Sequence, residues 1–320
     1  MSAPPVDSSG KPTVISTFAG CGGSSLGYQM AGFHELLVVE WDNNAVETFK
    51  RNFKDVPVYH GDIAKLSVDE CLSLTGIRKG ELDLFDGSPP CQGFSTAGKR
   101  ELKDDRNQLF REYCRLLNGL QPKCFVMENV TGMVKGHMKQ VYLEIVKELR
   151  ACGYRVKGQV LNAMYYGVPQ SRERVIIIGV RNDLGIEPTH PKPTQRPKTF
   201  REVCFDLQEC LADVPFNKST RTSRVMFSLP QGDGDPNHNS RIKLMWDKPS
   251  PTLLKGGSGD YWHPEFFRPL NLSEWKRCSS FPDSFEFTDK KNGCQRIGNS
   301  VPPLLSKAIG EHLIKTVINA

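Results

Sequence analysis

Short, nearly continuous apolar stretches alternate with helical patterns through the first half of this sequence. That alternation restricts the fold more than any other feature. Thr13–Phe18, Glu35–Glu40, Leu82–Phe85, Phe125–Met127, Arg155–Leu161 and Arg174–Val180 read as strands. Between them, Ser24–Ala31, a segment capped by Asp42 and running to Phe53, Asn107–Asn118 and His137–Ala151 read as helices, the last closed by Gly153. Strands apolar on both faces belong to a sheet covered by helices on both sides, and such sheets are mostly parallel. The expectation is an α/β chain with a doubly wound, Rossmann-like sheet. The pattern changes near Glu187-Pro188, and up to Phe267 the chain is rich in Pro, Gly, Asn and basic side chains. A second, smaller and irregular domain is expected there. Order returns at Leu272 and ends in a helix, Pro303 to Asn319. The expected organisation is one discontinuous domain, 12–187 with 268–320, a small domain at 188–267 and a flexible leader at 1–11.

No apolar run approaches the ~20 residues that cross a bilayer, so no membrane association is expected. A net charge of +6 permits a polyanionic partner without demanding one. None of the ten cysteines forms a Cys-x-x-Cys pair. A disulfide framework and a zinc site are therefore both disfavoured, no metal is expected, and a reducing, cytoplasmic setting is.

Phe18-Ala-Gly-Cys-Gly-Gly23 directly follows the first strand and opens a helix, where glycines let the backbone turn sharply and approach a ligand. The spacing is not the dinucleotide fingerprint, because the last glycine comes too soon. Glu40 ends the next strand, roughly 20 residues on, where a carboxylate holds ribose hydroxyls. Trp41 follows and offers a stacking face for a purine, and Asp62 sits at the expected end of a third strand. Ligands of such sheets bind at the carboxyl ends of the strands, so these segments converge on a nucleoside-type cofactor. The same residues also fit a tight turn and a solvated helix cap, and they do not separate S-adenosylmethionine from a nucleotide.

The following strand end carries Asp86-Gly-Ser-Pro-Pro-Cys-Gln-Gly-Phe-Ser95. Two prolines restrict the backbone before Cys91 and pre-set the direction of its sulfur. Met127-Glu128-Asn129-Val130 puts a carboxyl on the same rim, and Gly167-Val-Pro-Gln-Ser-Arg172-Glu-Arg174 supplies two guanidinium groups. A thiol, a carboxyl and an arginine on adjacent strand ends form a set with chemistry, although each alone also fits an ordinary buried cysteine or surface ion pair.

In this order the segments resemble the DNA (cytosine-5) methyltransferases of prokaryotic type. The resemblance rests on Phe18-Ala-Gly-Cys-Gly-Gly23, Glu40-Trp41, Gly61-Asp62-Ile63, Pro89-Pro-Cys-Gln92, Glu128-Asn-Val130, Gln170-Ser-Arg-Glu-Arg174 and Gly298-Asn-Ser-Val301. It spans most of the chain and is weakest at 188–267, where the family carries its target-recognition segment. Cys21 and Ser171 stand at positions that the family varies. The resemblance implies S-adenosyl-L-methionine as cofactor, held by Phe18, Ala19, Gly20, Gly23, Glu40, Trp41, Asp62, Ile63, Pro90, Leu109, Asn299, Ser300 and Val301. It implies methylation of a flipped cytosine through a covalent bond from Cys91 to ring carbon 6, which turns the neighbouring bond into an enamine and makes carbon 5 nucleophilic. Glu128, protonated or sharing a proton, is then expected at ring N3 and the amine, Arg174 at O2, and Arg172 in support of Cys91 or a phosphate.

Double-stranded DNA is the expected partner, with the target base extruded at a cost of roughly a few kcal/mol. Gln92 to Arg106 looks like a closing loop, in which Gln92, Ser95, Lys99, Arg100 and Arg106 are candidate DNA contacts. Thr252 resembles a family position beside the flipped nucleotide, and Arg221, Arg224, Arg241 and Lys243 are further candidates for phosphates or base edges. A monomer is expected, with any cognate restriction endonuclease encoded separately. The nearest alternative is a transfer-RNA cytosine methyltransferase on the same scaffold. A nucleotide-dependent oxidoreductase and an inactive DNA-binding module are more distant ones.

Overall fold

The computed structural model describes residues 10–90, 108–136, 138–207, 220–257 and 259–320. Along the first half run β1 (Thr13–Thr17), α1 (Gly23–Ala31), β2 (His34–Glu40), α2 (Asn43–Asn52), β3 (Val58–His60), α3 (Val68–Thr75), β4 (Leu84–Gly87), α4 (Gln108–Leu120), β5 (Cys124–Val130), α5 (Met138–Ala151), β6 (Tyr154–Asn162) and β7 (Glu173–Arg181). Then follow α6 (Phe200–Cys204), α7 (Arg221–Ser228), β8 (Ile242–Lys243), β9 (Tyr261–Trp262), α8 (Leu272–Cys278), α9 (Lys290–Asn299) and α10 (Pro303–Leu313), which continues into a π-helical turn at Ile314–Ile318.

Seven strands form one sheet in the order β3-β2-β1-β4-β5-β7-β6. The strands from β3 to β5 pair in parallel, and β7 runs antiparallel between β5 and β6. A parallel crossover needs about a dozen residues or more. Only residues 163–172 separate β6 from β7, so the two close as a hairpin and β7 inserts into the sheet. The chain order reverses at β1, and the carboxyl ends of β1, β2 and β4 therefore open onto one crevice.

Strand alternation distributes the core between two faces. Ile15, Leu37, Phe85, Phe125 and Ile177 pack with Phe110, Tyr113, Leu116 and Leu117 of α4 and with Ile145 and Leu149 of α5. Their neighbours Val14, Leu84, Val126, Ile176 and Ile178 pack with Tyr28 of α1 and with Leu305, Ile309 and Leu313 of α10. Each such buried side chain contributes about 1.5–3 kcal/mol, which explains why the C-terminal helix returns to the sheet. The described residues between 200 and 270 hold only short elements. Their apolar side chains Phe200, Trp246, Leu253 and Tyr261 join Cys21, Phe49 and Phe53 from the first segment, and Trp275 and Phe281, in a third cluster.

Buried acids interrupt this apolar packing. Glu35 lies beside Ser16 and Ser25, and its Oε1 and both hydroxyls lack a full hydrogen-bond partner among the described residues. Burial raises the Glu35 carboxyl to about 7. Burial likewise raises Asp86 to about 8, with Glu35 and Glu128 adding like charge against the donation from Tyr28. Both acids hold their proton more tightly when folded. Their contribution is therefore complete below their unfolded values, near pH 4, and is lost as pH rises toward 7 to 8. The melting temperature is expected to fall by a few degrees between pH 5 and 8. Glu35→Gln is expected to flatten that slope in a pH series of thermal melts, and an unchanged slope contradicts it.

Candidate active site

The glycine segment begins where β1 ends. Phe18 takes φ +54, a left-handed conformation that costs a non-glycine residue about 1–2 kcal/mol. It turns the chain so that Gly20 N–H donates to Glu40 Oε2 at 2.7 Å. Glu40 Oε1 accepts from the N–H groups of Trp41 and Asp42, both at 2.9 Å. One buried carboxylate thus sets the relative position of two loops. Asp42 in turn caps α2 by accepting from Ala45 N–H. Cys21, inside the loop, is an inert thiol, because burial pushes it up to about 12.

Gly22 has φ +93, and a Cβ there would stand 2.5 Å from the Phe53 ring. Gly22→Ala combines backbone strain with overpacking, for an expected loss of about 2–4 kcal/mol. Denaturant unfolding is expected to shift accordingly, and a variant within 0.5 kcal/mol of wild type, roughly the scatter of a neutral surface change, contradicts this reading.

A cleft opens beyond this loop, lined by Phe18, Val39, Glu40, Trp41, Gly61, Asp62, Ile63, Pro90 and Leu109. Phe18, Glu40, Trp41, Asp62, Ile63, Pro90 and Leu109 are all residues that the sequence pointed to. Val39 and Gly61 were missed, although each adjoins a predicted residue. Trp41 is 75% exposed, so its ring is free to stack. Asp62 Oδ1 accepts from Ala64 N–H, which fixes the carboxylate at the cleft. Ala19 and Gly20 form the turn behind the lining. Gly23 packs on the C-terminal segment, where a Cβ would meet the Val301 carbonyl at 2.4 Å and Ser300 Cβ at 2.9 Å. Ser300 and Val301 therefore back the glycine loop, and Asn299 ends α9 beside them.

Glu128 and Arg174 meet at the ends of β5 and β7. Arg174 Nε stands 2.8 Å from Glu128 Oε1, with side chains 11% and 12% exposed. The register pairs Val130 with Arg174 and Glu128 with Ile176, so the hairpin brings the pair together. Asn129 Nδ2 donates to the Pro89 carbonyl at 3.2 Å, which ties β5 to the Pro89-Pro90 segment leading into Cys91. Cys91 itself, with Gln92, Ser95, Lys99, Arg100 and Arg106, lies outside the described residues.

Arg172 is more deeply buried than Arg174. Its guanidinium is 2% exposed and donates to three carbonyls, those of Leu253 at 3.3 Å and of Gly298 and Ser300 at 2.9 Å each. Burial pulls its pKa down, and the neighbouring Arg174 adds to this. Those contacts make it a tie between the start of β7, the segment before β9 and the C-terminal segment. The Thr252 hydroxyl donates to the Ser171 carbonyl at 2.7 Å, which fixes the same segment beside the arginine strand. Of the other basic candidates, Arg241 faces Asp235 and Asp260. Lys243 Nζ donates to the Phe227 and Leu229 carbonyls at the end of α7. Both are engaged within the protein, whereas Arg221 and Arg224 are exposed on α7.

Comparison with known proteins agrees with this geometry. The model of the family described as C-5 cytosine-specific DNA methylase matches residues 12–231 and 236–315. The Type II methyltransferase M1.HphI of Haemophilus parahaemolyticus is 38% identical, covering 96% of this chain and 88% of the relative. The Type II methyltransferase M.NgoFVII of Neisseria gonorrhoeae is 32% identical over 92% of this chain and 84% of the relative. Among solved structures, a putative DNA modification methyltransferase encoded within an Escherichia coli prophage superposes with a TM-score of 0.82 at 24% identity, covering 97% of this chain and all of that one. The fold of Spodoptera frugiperda DNMT2 is also similar, at a TM-score of 0.70 and 17% identity. With a mixed seven-stranded sheet of this kind, a cleft at its switch point and a match along nearly the whole chain, the protein belongs to the C-5 cytosine-specific DNA methylase family.

Proposed function

We propose that the protein transfers a methyl group from S-adenosyl-L-methionine to carbon 5 of a flipped cytosine in a short sequence of double-stranded DNA, with Cys91 as nucleophile. The observation that carries this reading is the Glu128–Arg174 pair. It stands on adjacent strand ends, tied through Asn129 to the segment that enters Cys91, beside a cleft with the chemistry of a nucleoside site.

The cleft fits such a cofactor. Glu40 and Asp62 keep lone pairs for hydroxyls, Trp41 presents a ring, and Phe18, Ile63, Pro90 and Leu109 supply apolar walls. When bound, S-adenosylmethionine supplies an electrophilic methyl group. Cys91 adds as thiolate to ring carbon 6, and carbon 5 becomes the nucleophile. Glu128 holds the N3 and amine edge, and Arg174, fixed by Glu128, faces O2. A base removes the carbon 5 proton and Cys91 leaves with its electron pair.

Residues 188–267 are assigned to target recognition. Arg221 and Arg224 of α7, both exposed, are the candidates we favour there for phosphates or base edges. Thr252, Gln92, Ser95, Lys99, Arg100 and Arg106 complete the proposed DNA contacts. No described helix is long and apolar enough to cross a membrane. We place the protein in the cytoplasm on DNA, as a monomer, with any partner endonuclease encoded separately.

The family and its Type II relatives favour DNA over transfer RNA. Purified protein incubated with methyl-labelled cofactor and either nucleic acid is expected to label duplex DNA alone, at carbon 5 of cytosine. Label confined to transfer RNA overturns the reading.

A further inference from the structure

Two thiols outside the cleft face each other at the protein surface. Among the described cysteines, Cys114 and Cys152 are half-buried and every other is buried. Cys114 lies in the middle of α4, and Cys152 directly follows α5. Both pack against the core cluster on the α4–α5 side of the sheet. The Cys152 Sγ stands 3.9 Å from the Cys114 carbonyl, and the two thiols are within hydrogen-bond reach of each other. The chain separates them by 38 residues, so the packing of α4 on α5 makes the pair.

The two sulfurs have unequal roles. The Cys114 thiol, donating to Cys152, holds Cys152 below the ordinary thiol value, whereas that bond and burial raise Cys114. Cys152 is thus the sulfur that ionises first, and the thiolate is the form that attacks a disulfide. It also sits just past a helix end, before Gly153 at φ +97. A disulfide needs the sulfurs to close to about 2.05 Å, and a helix terminus yields more readily than the interior of α4. A second pair gives the contrast. Cys204 and Cys278 also share a hydrogen bond, but both are 0% exposed, which shuts out an oxidant.

We propose that Cys114 and Cys152 form a modification site, a thiol pair that small disulfides of the glutathione class oxidise to a single bond between α4 and the end of α5. The Cys152 thiolate attacks one sulfur of oxidised glutathione, whose S–S bond breaks and releases one glutathione as thiolate. Cys114 then gives up its proton and attacks the Cys152 sulfur, and the second glutathione leaves. Two protein thiols are oxidised, one glutathione disulfide is reduced, and the two cysteine protons end on the two glutathiones. Excess thiol reverses both exchanges, so the dithiol is the resting form under reducing conditions. The site does not depend on the methyl-transfer reading.

The test treats the reduced full chain with oxidised glutathione, blocks the remaining thiols with iodoacetamide on denaturation, and maps tryptic peptides by mass. Cleavage after Arg111, Arg115, Arg150 and Arg155 puts each sulfur on its own peptide, 112–115 and 151–155. Wild type is expected to give these two peptides joined, two hydrogens lighter than the free pair, and dithiothreitol to separate them. Bonding of Cys204 to Cys278 is expected to be at least ~10-fold slower, since exchange needs access to the sulfur. Cys114→Ser is expected to stop at the mixed disulfide, with glutathione kept on Cys152. Cys152→Ser is expected to take up glutathione on Cys114 at least ~5-fold more slowly than that, because the less ionised sulfur remains. Lasting mixed disulfides on both cysteines of wild type overturn the proposal, because the sulfurs then do not reach each other. So do free thiols at both positions, a bond from either to another cysteine, or a Cys204–Cys278 bond that forms as fast.

Discussion

Methyl transfer by the Cys91→Ser protein is expected to fall at least ~10³-fold, with cofactor affinity within about 2-fold of wild type. A serine hydroxyl is far less acidic than a thiol and a poorer nucleophile toward a polarisable ring carbon. Without addition at carbon 6, carbon 5 has no enamine character to direct at the methyl group. Binding survives because the cleft is lined by residues from four strand ends and from α4, and of the Pro-Pro-Cys segment it uses Pro90. Calorimetry and single-turnover transfer on the same preparation separate the two effects. Turnover within 10-fold of wild type, a loss of only about 1.4 kcal/mol, refutes the nucleophile assignment.

The second large effect is expected at the Glu128–Arg174 pair. Removing one partner of a nearly buried ion pair leaves the other charge uncompensated and costs about 3–5 kcal/mol of stability in a fully buried site. At 11% and 12% exposure this pair lies close to that limit. Glu128→Gln keeps the shape and one acceptor but removes the counter-charge that orients Arg174. We expect kcat to fall about 10²- to 10³-fold, the range for loss of one preorganised electrostatic group. The change in KM for DNA is expected to stay within about 3-fold, because phosphate contacts elsewhere carry most of that affinity. Arg174→Met alone is expected to be as damaging. The double variant Glu128→Gln with Arg174→Met is expected to recover part of the stability, since no unpaired charge remains. Additive stability losses in that cycle contradict a coupled pair.

The sheet and the cleft at its switch point were legible because their signals are local. Apolar runs of strand length, a glycine cluster after the first of them and acids just past the next two place Phe18, Glu40 and Asp62 on one rim whatever the packing elsewhere. The role of Arg172 was not legible. Its three carbonyl partners lie 81 to 128 residues away, in segments whose spacing carries no sign of that junction. Beside Arg174 in one motif it looks equally available for chemistry, and only burial tells the two apart. The internal partners of Arg241 and Lys243 were illegible for the same reason. A basic residue in a loop-rich segment resembles a phosphate contact until Asp235, Asp260 or the end of α7 is found to hold it. The antiparallel β7 follows from the length of one connection, whereas apolar composition alone indicated a mostly parallel sheet without singling out the strand that reverses. Asp86 stood in plain view before the two prolines, but its link to Tyr28 is a packing fact that no motif encodes.

Duplex DNA carrying 5-fluorocytosine throughout one strand offers the most direct measurement. Fluorine at carbon 5 cannot leave as a proton does, so the reaction stops with enzyme and base still joined. Incubated with S-adenosylmethionine, the protein is expected to form a denaturation-resistant complex. Mass mapping of its peptides is expected to place the pyrimidine on Cys91, and Cys91→Ser is expected to give no complex. Methylated DNA from ordinary duplexes with no trapped complex on the fluorinated ones, or an adduct on any other residue, would contradict attack by Cys91.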